Sequence, residues 1–159
     1  MSRTDRSSRL ITAPPDRVYA ALVDPEQLLA WLPPEGMTGI FERFDGHPGG
    51  GYRLVLSYHG SSAAQGKASA DSDIVEARFV EMVEGVRVVQ AVEFVSDDRA
   101  YAGTMTMSWD LVASDDGTRV DITAEDVPEG ISAADHAAGL ASSLANLSAF
   151  LERSRGATR

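Results

Sequence analysis

The chemistry this chain could perform rests on a few polar side chains set inside otherwise apolar runs. Glu76 and Arg78 share one face of a β-type segment, and Gln90 and Glu93 lie in another, flanked by valines. Asp110 follows Trp109, Tyr58 ends a tyrosine-rich strand, and His136 sits one turn into the terminal helix. If the face carrying Glu76 and Arg78 turns inward, the pair can hold a ligand's polar group or position a water. Isolated charges are costly to bury, so an inward pair needs a partner or a purpose. If that face turns outward, the two charges sit side by side in solvent. His136 has two readings as well, a general base at a cavity mouth or an exposed surface residue. Acid–base chemistry would need at least two of Glu76, Arg78, Tyr58 and His136 to converge.

Other chemistries lack their residues. There is no cysteine, which removes disulfides, thiolate nucleophiles and cysteine metal sites. His47, His59 and His136 are not spaced as paired ligands, and neither an HExxH nor an EF-hand pattern is present, so no metal is expected. Gly60 to Ala68 departs from a phosphate-binding loop: the glycines are one residue too far apart, and Ala68 stands where a Mg²⁺-binding hydroxyl belongs. No G-x-S-x-G elbow exists, and Ser142 and Ser143 lie on the last helix as space-filling or backbone-bonded hydroxyls. No cofactor is expected.

The elements that must position these groups follow from periodicity. Arg9 to Thr12 reads as a first strand, broken by Ala13-Pro14-Pro15. Val18, Tyr19, Leu22 and Val23 form one helical stripe, and Leu28, Leu29, Trp31 and Leu32 a second, joined at Asp24-Pro25 and stopped by Pro33-Pro34. Strands are expected at Met37 to Phe44, Tyr52 to Tyr58, Ile74 to Met82, Val86 to Val95, Thr104 to Val112 and Arg119 to Ala124. His59 to Asp73 reads as a long polar loop. Gly49 to Gly51 predicts a tight left-handed turn, and Glu84-Gly85 and Asp115-Asp116-Gly117 predict hairpin turns. Ser132 and Asp135 predict the start of a helix whose stripe runs Ala133, Ala137, Leu140, Leu144, Leu147, Leu151. The neighbouring alanines, Ala134, Ala138 and Ala141 among them, would let that helix approach a sheet closely. A long amphipathic helix after a run of strands is expected to lie across their sheet. Trp31, Tyr52, Tyr58, Met107 and Trp109 are large or soft groups that either fill the core or line a pocket beneath it, and Met105 fits both.

With 159 residues, 43% apolar and 24% charged, the chain suits one domain with a real core. The 14 basic and 24 acidic residues give a net charge of −10, which disfavours nucleic acid and anionic lipid. Arg3, Arg6 and Arg9 read as a solvated terminus. No apolar run reaches membrane-spanning length, and MSRTDRSSRL has no apolar stretch typical of a secretory signal, so a cytoplasmic location is expected.

Four strings carry a family likeness: APPDRVYAAL (Ala13 to Leu22), DPEQLLAWLPPEGMTG (Asp24 to Gly39), GGGYR (Gly49 to Arg53) and GISAADHAAGLASSLANLSAFLE (Gly130 to Glu152). With these the chain resembles the START-like superfamily, also called SRPBCC or Bet v 1-like, and within it the branch named for the activator of Hsp90 ATPase (AHSA1-like). The resemblance implies an α+β helix-grip fold. A curved antiparallel sheet of about six or seven strands would wrap a long C-terminal helix, with two short helices after the first strand. The domain would be single, 1–159, with its core at about 9–153. Members carry lipids, sterols or hormones between sheet and helix, act as polyketide aromatase/cyclases, or serve as co-chaperones. The implied function is therefore binding of a small hydrophobic or aromatic molecule, with Trp31, Tyr52, Tyr58, Glu76, Arg78, Met107, Trp109 and His136 as candidate contacts. The alternatives are a cyclase- or hydratase-type enzyme and a chaperone or stress-response accessory. At 159 residues the chain is not expected to hold the second, N-terminal domain with which the eukaryotic Hsp90 activator engages the chaperone, which weighs against the chaperone alternative. A homodimer through a sheet edge or helix face is compatible with the sequence.

Overall fold

The computed structural model describes residues 3–33, 36–58, 72–96 and 98–157. Most of the long loop expected at His59 to Asp73, with the glycine string that departs from a phosphate loop, lies outside them. The elements run β1 (Thr4–Ile11), α1 (Pro15–Val23), α2 (Pro25–Trp31), β2 (Met37–Phe44), β3 (Gly51–Tyr58), β4 (Ser72–Val83), β5 (Arg87–Phe94), β6 (Met105–Ser114), β7 (Gly117–Glu125) and α3 (Ala133–Ala157), with one 3-10 turn at Arg99–Tyr101. They form one seven-stranded sheet in the order β1-β7-β6-β5-β4-β3-β2. Each neighbouring pair is antiparallel. This is the expected helix-grip fold.

Two prolines and one aspartate shape the helical elbow. Pro15 takes the first turn of α1, where its missing N–H costs nothing. Asp24 ends α1 by donating its N–H to the Ala20 carbonyl and starts α2 by accepting from the Glu26 N–H at 3.0 Å. Trp31 Nε1–H donates to the Ala21 carbonyl at 2.9 Å, tying the end of α2 back onto α1.

Alternation decides what the sheet shows to each side. Tyr52 and Leu54, Ala77 and Phe79, Val88 and Val92, Met105 and Trp109, and Val120 and Ile122 are buried on the inner face. Register shifts at Phe41/Arg43 and Phe79/Glu81 mark bulges, which bend a sheet and increase its twist. At the glycine turn Gly49 has φ +88°, as expected. Gly51 is required for a different reason, since a Cβ there would stand 2.1 Å from the Ala77 carbonyl oxygen across the strand pair.

Two expectations need correction. β1 is longer than Arg9 to Thr12 and begins at Thr4, paired with β7 from Thr4↔Glu125 to Ile11↔Thr118. Its polar side chains gave no apolar pattern, but backbone pairing does not require one. Arg6 and Arg9 are exposed, whereas Arg3 turns inward. The buried stripe of α3 is the leucine half, Leu140, Leu144, Leu147 and Leu151. Ala133 and Ala137 are exposed, and so are Ala134, Ala138 and Ala141. Ser132 does start this helix, its Oγ accepting from the Asp135 N–H at 3.1 Å. None of the described helices is long and apolar enough to cross a membrane.

Candidate functional site

A cavity of about 270 Å³ lies between α3 and the inner face of β3–β6. Its wall follows the strand register. Leu54, Val75 and Phe94 form one cross-strand row, Val92 faces Met105, and Gln90 faces Met107. Trp109 and Leu32 close one side, and His136, Gly139, Leu140 and Ser143 of α3 cover the top. The lining is largely apolar, and the volume falls just below the range of about 300–1,000 Å³ usual for small-molecule pockets. Gly139 is exposed as well as lining the cavity, so it marks the mouth.

Polar groups enter this lining at few points. Tyr52 is buried, and its ring is fixed by Phe44, stacked at 5.8 Å, and by Phe79, edge-on at 6.0 Å. Burial pushes its phenol up to about 12, against a smaller opposing effect of the hydrogen bond with Gln90. Tyr52 therefore stays a neutral phenol at physiological pH. Gln90, likewise buried, is its partner.

The second polar point joins the two ends of the chain. His136 Nδ1 lies 2.7 Å from Asp5 Oδ2. Arg3 holds the same carboxylate, Nη2 to Oδ2 at 3.0 Å and Nε to Oδ1 at 3.1 Å, and also donates to the Ile131 carbonyl just before α3. The Asp5 and His136 side chains are 11% and 12% exposed. Burial pushes the Asp5 carboxyl up, but the hydrogen bonds and charges of Arg3 and His136 outweigh it and hold it below the ordinary carboxylate value. His136 is thus oriented at the cavity rather than free on the surface. Asp5 was not singled out from sequence. Counting back by twos from Ile11 gives Arg9, Ser7 and Asp5 on one face, the one signal that could have found it.

Of the other expected contacts, Tyr52, Met107 and Trp109 line the cavity together with His136. Trp31 stands behind Trp109, edge-on at 5.8 Å and 74°, and acts as support rather than lining. Tyr58 ends β3 opposite Met37, and its side chain lies outside the described residues. Glu76 and Arg78 are on the opposite face. Val75, Ala77 and Phe79 of the same strand point inward, so period two sends the charges out. There Glu76 bonds Arg53 at 3.1 Å and Arg43 at 3.5 Å, beside a shallow groove with Arg78, Glu93 and Thr104. Glu76→Ala is expected to cost no more than about 1 kcal/mol in urea unfolding, as exposed pairs do, and to leave ligand binding unchanged. Gln90 and Glu93 also separate, Gln90 inward and Glu93 outward. Among the described residues no group of three or more His, Cys, Asp or Glu side chains could hold a metal.

Residues 12–152 match the family model described as activator of Hsp90 ATPase homolog 1-like protein. Among solved structures, a crystal structure of a Chromobacterium violaceum protein is 31% identical, with a TM-score of 0.82 over 94% of this chain and 96% of that one. An AHSA1-like protein of Aeromonas hydrophila, solved by solution NMR, is 18% identical with a TM-score of 0.74 over 96% and 94%. A Rhodobacter sphaeroides protein is 18% identical with a TM-score of 0.75 over 98% and 94%. These last two likenesses establish the shared fold. No curated protein matches the chain in sequence.

Proposed function

This chain belongs to the activator of Hsp90 ATPase homolog 1-like family, and on that premise we propose that it binds a small hydrophobic molecule between its sheet and α3. The observation that carries this reading is the cavity of about 270 Å³ with its mostly aliphatic, aromatic and methionine wall. Apolar burial supplies affinity there, and a few placed polar groups supply orientation. A second reading, a cyclase- or hydratase-type enzyme, is favoured by the His136–Asp5 pair at the same cavity, an arrangement suited to a general base.

The test uses a neutral dye, because the net charge of −10 disfavours anionic probes. N-phenyl-1-naphthylamine is expected to bind the full chain saturably, with enhanced fluorescence. Gly139→Leu is expected to weaken that binding at least tenfold. A Cβ at 139 meets nothing within 4 Å, so the new side chain has room to occupy the mouth. Glycine inside a helix costs about 0.5–1 kcal/mol relative to alanine, so the variant should keep or raise its Tm. Absence of saturable dye binding by the folded wild-type protein would remove the proposal.

A further inference from the structure

Resting on the cavity reading above, we propose that the chamber selects ligands carrying a weakly acidic hydroxyl, a phenol or an enol, which donates its hydrogen bond to Nε2 of His136. Asp5 and Arg3 are then positioning residues that fix which imidazole nitrogen accepts.

Asp5 sets the tautomer of the ring. An ionised carboxylate only accepts hydrogen bonds, so the proton at the 2.7 Å contact belongs to Nδ1 of His136. In the neutral ring the second nitrogen, Nε2, is then a bare acceptor. Arg3 saturates the other side of the carboxylate and is itself fastened to the Ile131 carbonyl, so the orientation is set from both ends of the chain.

Nε2 has no hydrogen-bond partner among the described residues. It is not sealed in protein either, since no described side-chain nitrogen or oxygen is both buried and unsatisfied. The ring that carries it lines the cavity. Tyr52 and Gln90 already bond each other and ask little of a ligand. Ser143 sits seven residues further along α3, roughly 10 Å along the axis, too far to serve the same ligand atom.

Selectivity follows from desolvation. A purely apolar guest strips water from Nε2 and leaves it unpaired. A guest with a hydroxyl at that point replaces the lost bond. A site built around a hydrogen-bonding group rejects the analogue that lacks the matching atom much more strongly than an apolar wall rejects a changed shape. The ligand class is therefore an aromatic or conjugated hydroxyl compound small enough for about 270 Å³.

The test compares 2-naphthol with 2-methoxynaphthalene, which keeps the rings and removes the donor. Each displaces N-phenyl-1-naphthylamine from the full chain. Wild type is expected to prefer 2-naphthol at least tenfold, and His136→Phe is expected to reduce that ratio below threefold. Equal affinities in wild type, or a preference surviving in folded His136→Phe, overturn the proposal while leaving the cavity reading intact. Failure of the dye itself to bind overturns both.

Should His136→Phe not fold, the emission of 2-naphthol bound to wild type decides. Excited naphthol is a strong acid. Beside a bare Nε2 its O–H bond breaks, an N–H bond forms, and the bound molecule emits as naphtholate next to imidazolium. Emission from bound neutral naphthol alone overturns the proposal.

Discussion

Trp31→Ala should lower the unfolding free energy by about 3–5 kcal/mol, the usual cost of deleting a buried tryptophan. Trp31 is 2% exposed, its indole N–H is bonded to the Ala21 carbonyl, and its ring meets Trp109 edge-on. Three losses therefore fall together: apolar contacts in a dense interior, an aromatic pair, and the bond that fastens the end of α2 to α1. At about 2–4 °C per kcal/mol for a chain of this size, the thermal midpoint should fall by about 6–20 °C. The variant also tests how the cavity is built. Trp109 lines the cavity and Trp31 supports it from behind, so removing that support should change dye affinity even though residue 31 is not itself lining. Trp31→Phe separates the effects. It keeps most of the packing, loses the hydrogen bond, and should cost about 1–3 kcal/mol because the Ala21 carbonyl is left unpaired. Urea unfolding of both variants is the measurement. A loss below about 1 kcal/mol for Trp31→Ala would contradict the packing described.

The second large effect belongs to Asp5. Asp5→Ala leaves the His136 ring and the Arg3 guanidinium without their shared acceptor. Breaking a buried pair costs about 3–5 kcal/mol, and Arg3 is 33% exposed and partly screened, so about 2–3 kcal/mol is expected at neutral pH. The dependence on pH identifies the cause. The folded carboxyl sits below its ordinary 3.8, so below that value the unfolded chain holds more of the proton than the folded one. The contribution is then fully present above 3.8 and lost as pH falls through the lower folded value. The stability gap between wild type and Asp5→Ala should accordingly be full above 3.8, neutral pH included, and narrow on acidification below it. A gap of the same size at pH 7 and well below the folded value would show that the carboxylate charge is not its source.

Much of the fold was legible because the inner face is carried by side-chain type. Tyr52, Leu54 and Leu56 against Arg53, Val55 and Ser57 state an orientation, and Met105, Met107, Trp109 and Leu111 state another. The same logic, applied to Val75, Ala77 and Phe79, contains the answer for Glu76 and Arg78, for which the two charges alone left both an inward and an outward face open. β1 is the opposite case. Its eight residues are mostly polar, and its place is fixed by backbone bonds to β7, which leave no mark on composition.

The sequence by itself determined the order of elements, the turns, the inward sets of β3 and β6, and the leucine face of α3. Each depends on neighbours a few residues apart, where backbone periodicity ties side-chain type to direction. Only the tertiary structure decided that α3 leaves space beneath its first turns, that the space is about 270 Å³, and that His136 stands beside Asp5, 131 residues away in the chain. A cavity is a difference between the volume a bent sheet encloses and the volume its side chains fill. That difference is set by curvature and by the depth at which the helix seats. Likewise, the meeting of a first strand with the last helix is a long-range contact, for which local pattern carries no term.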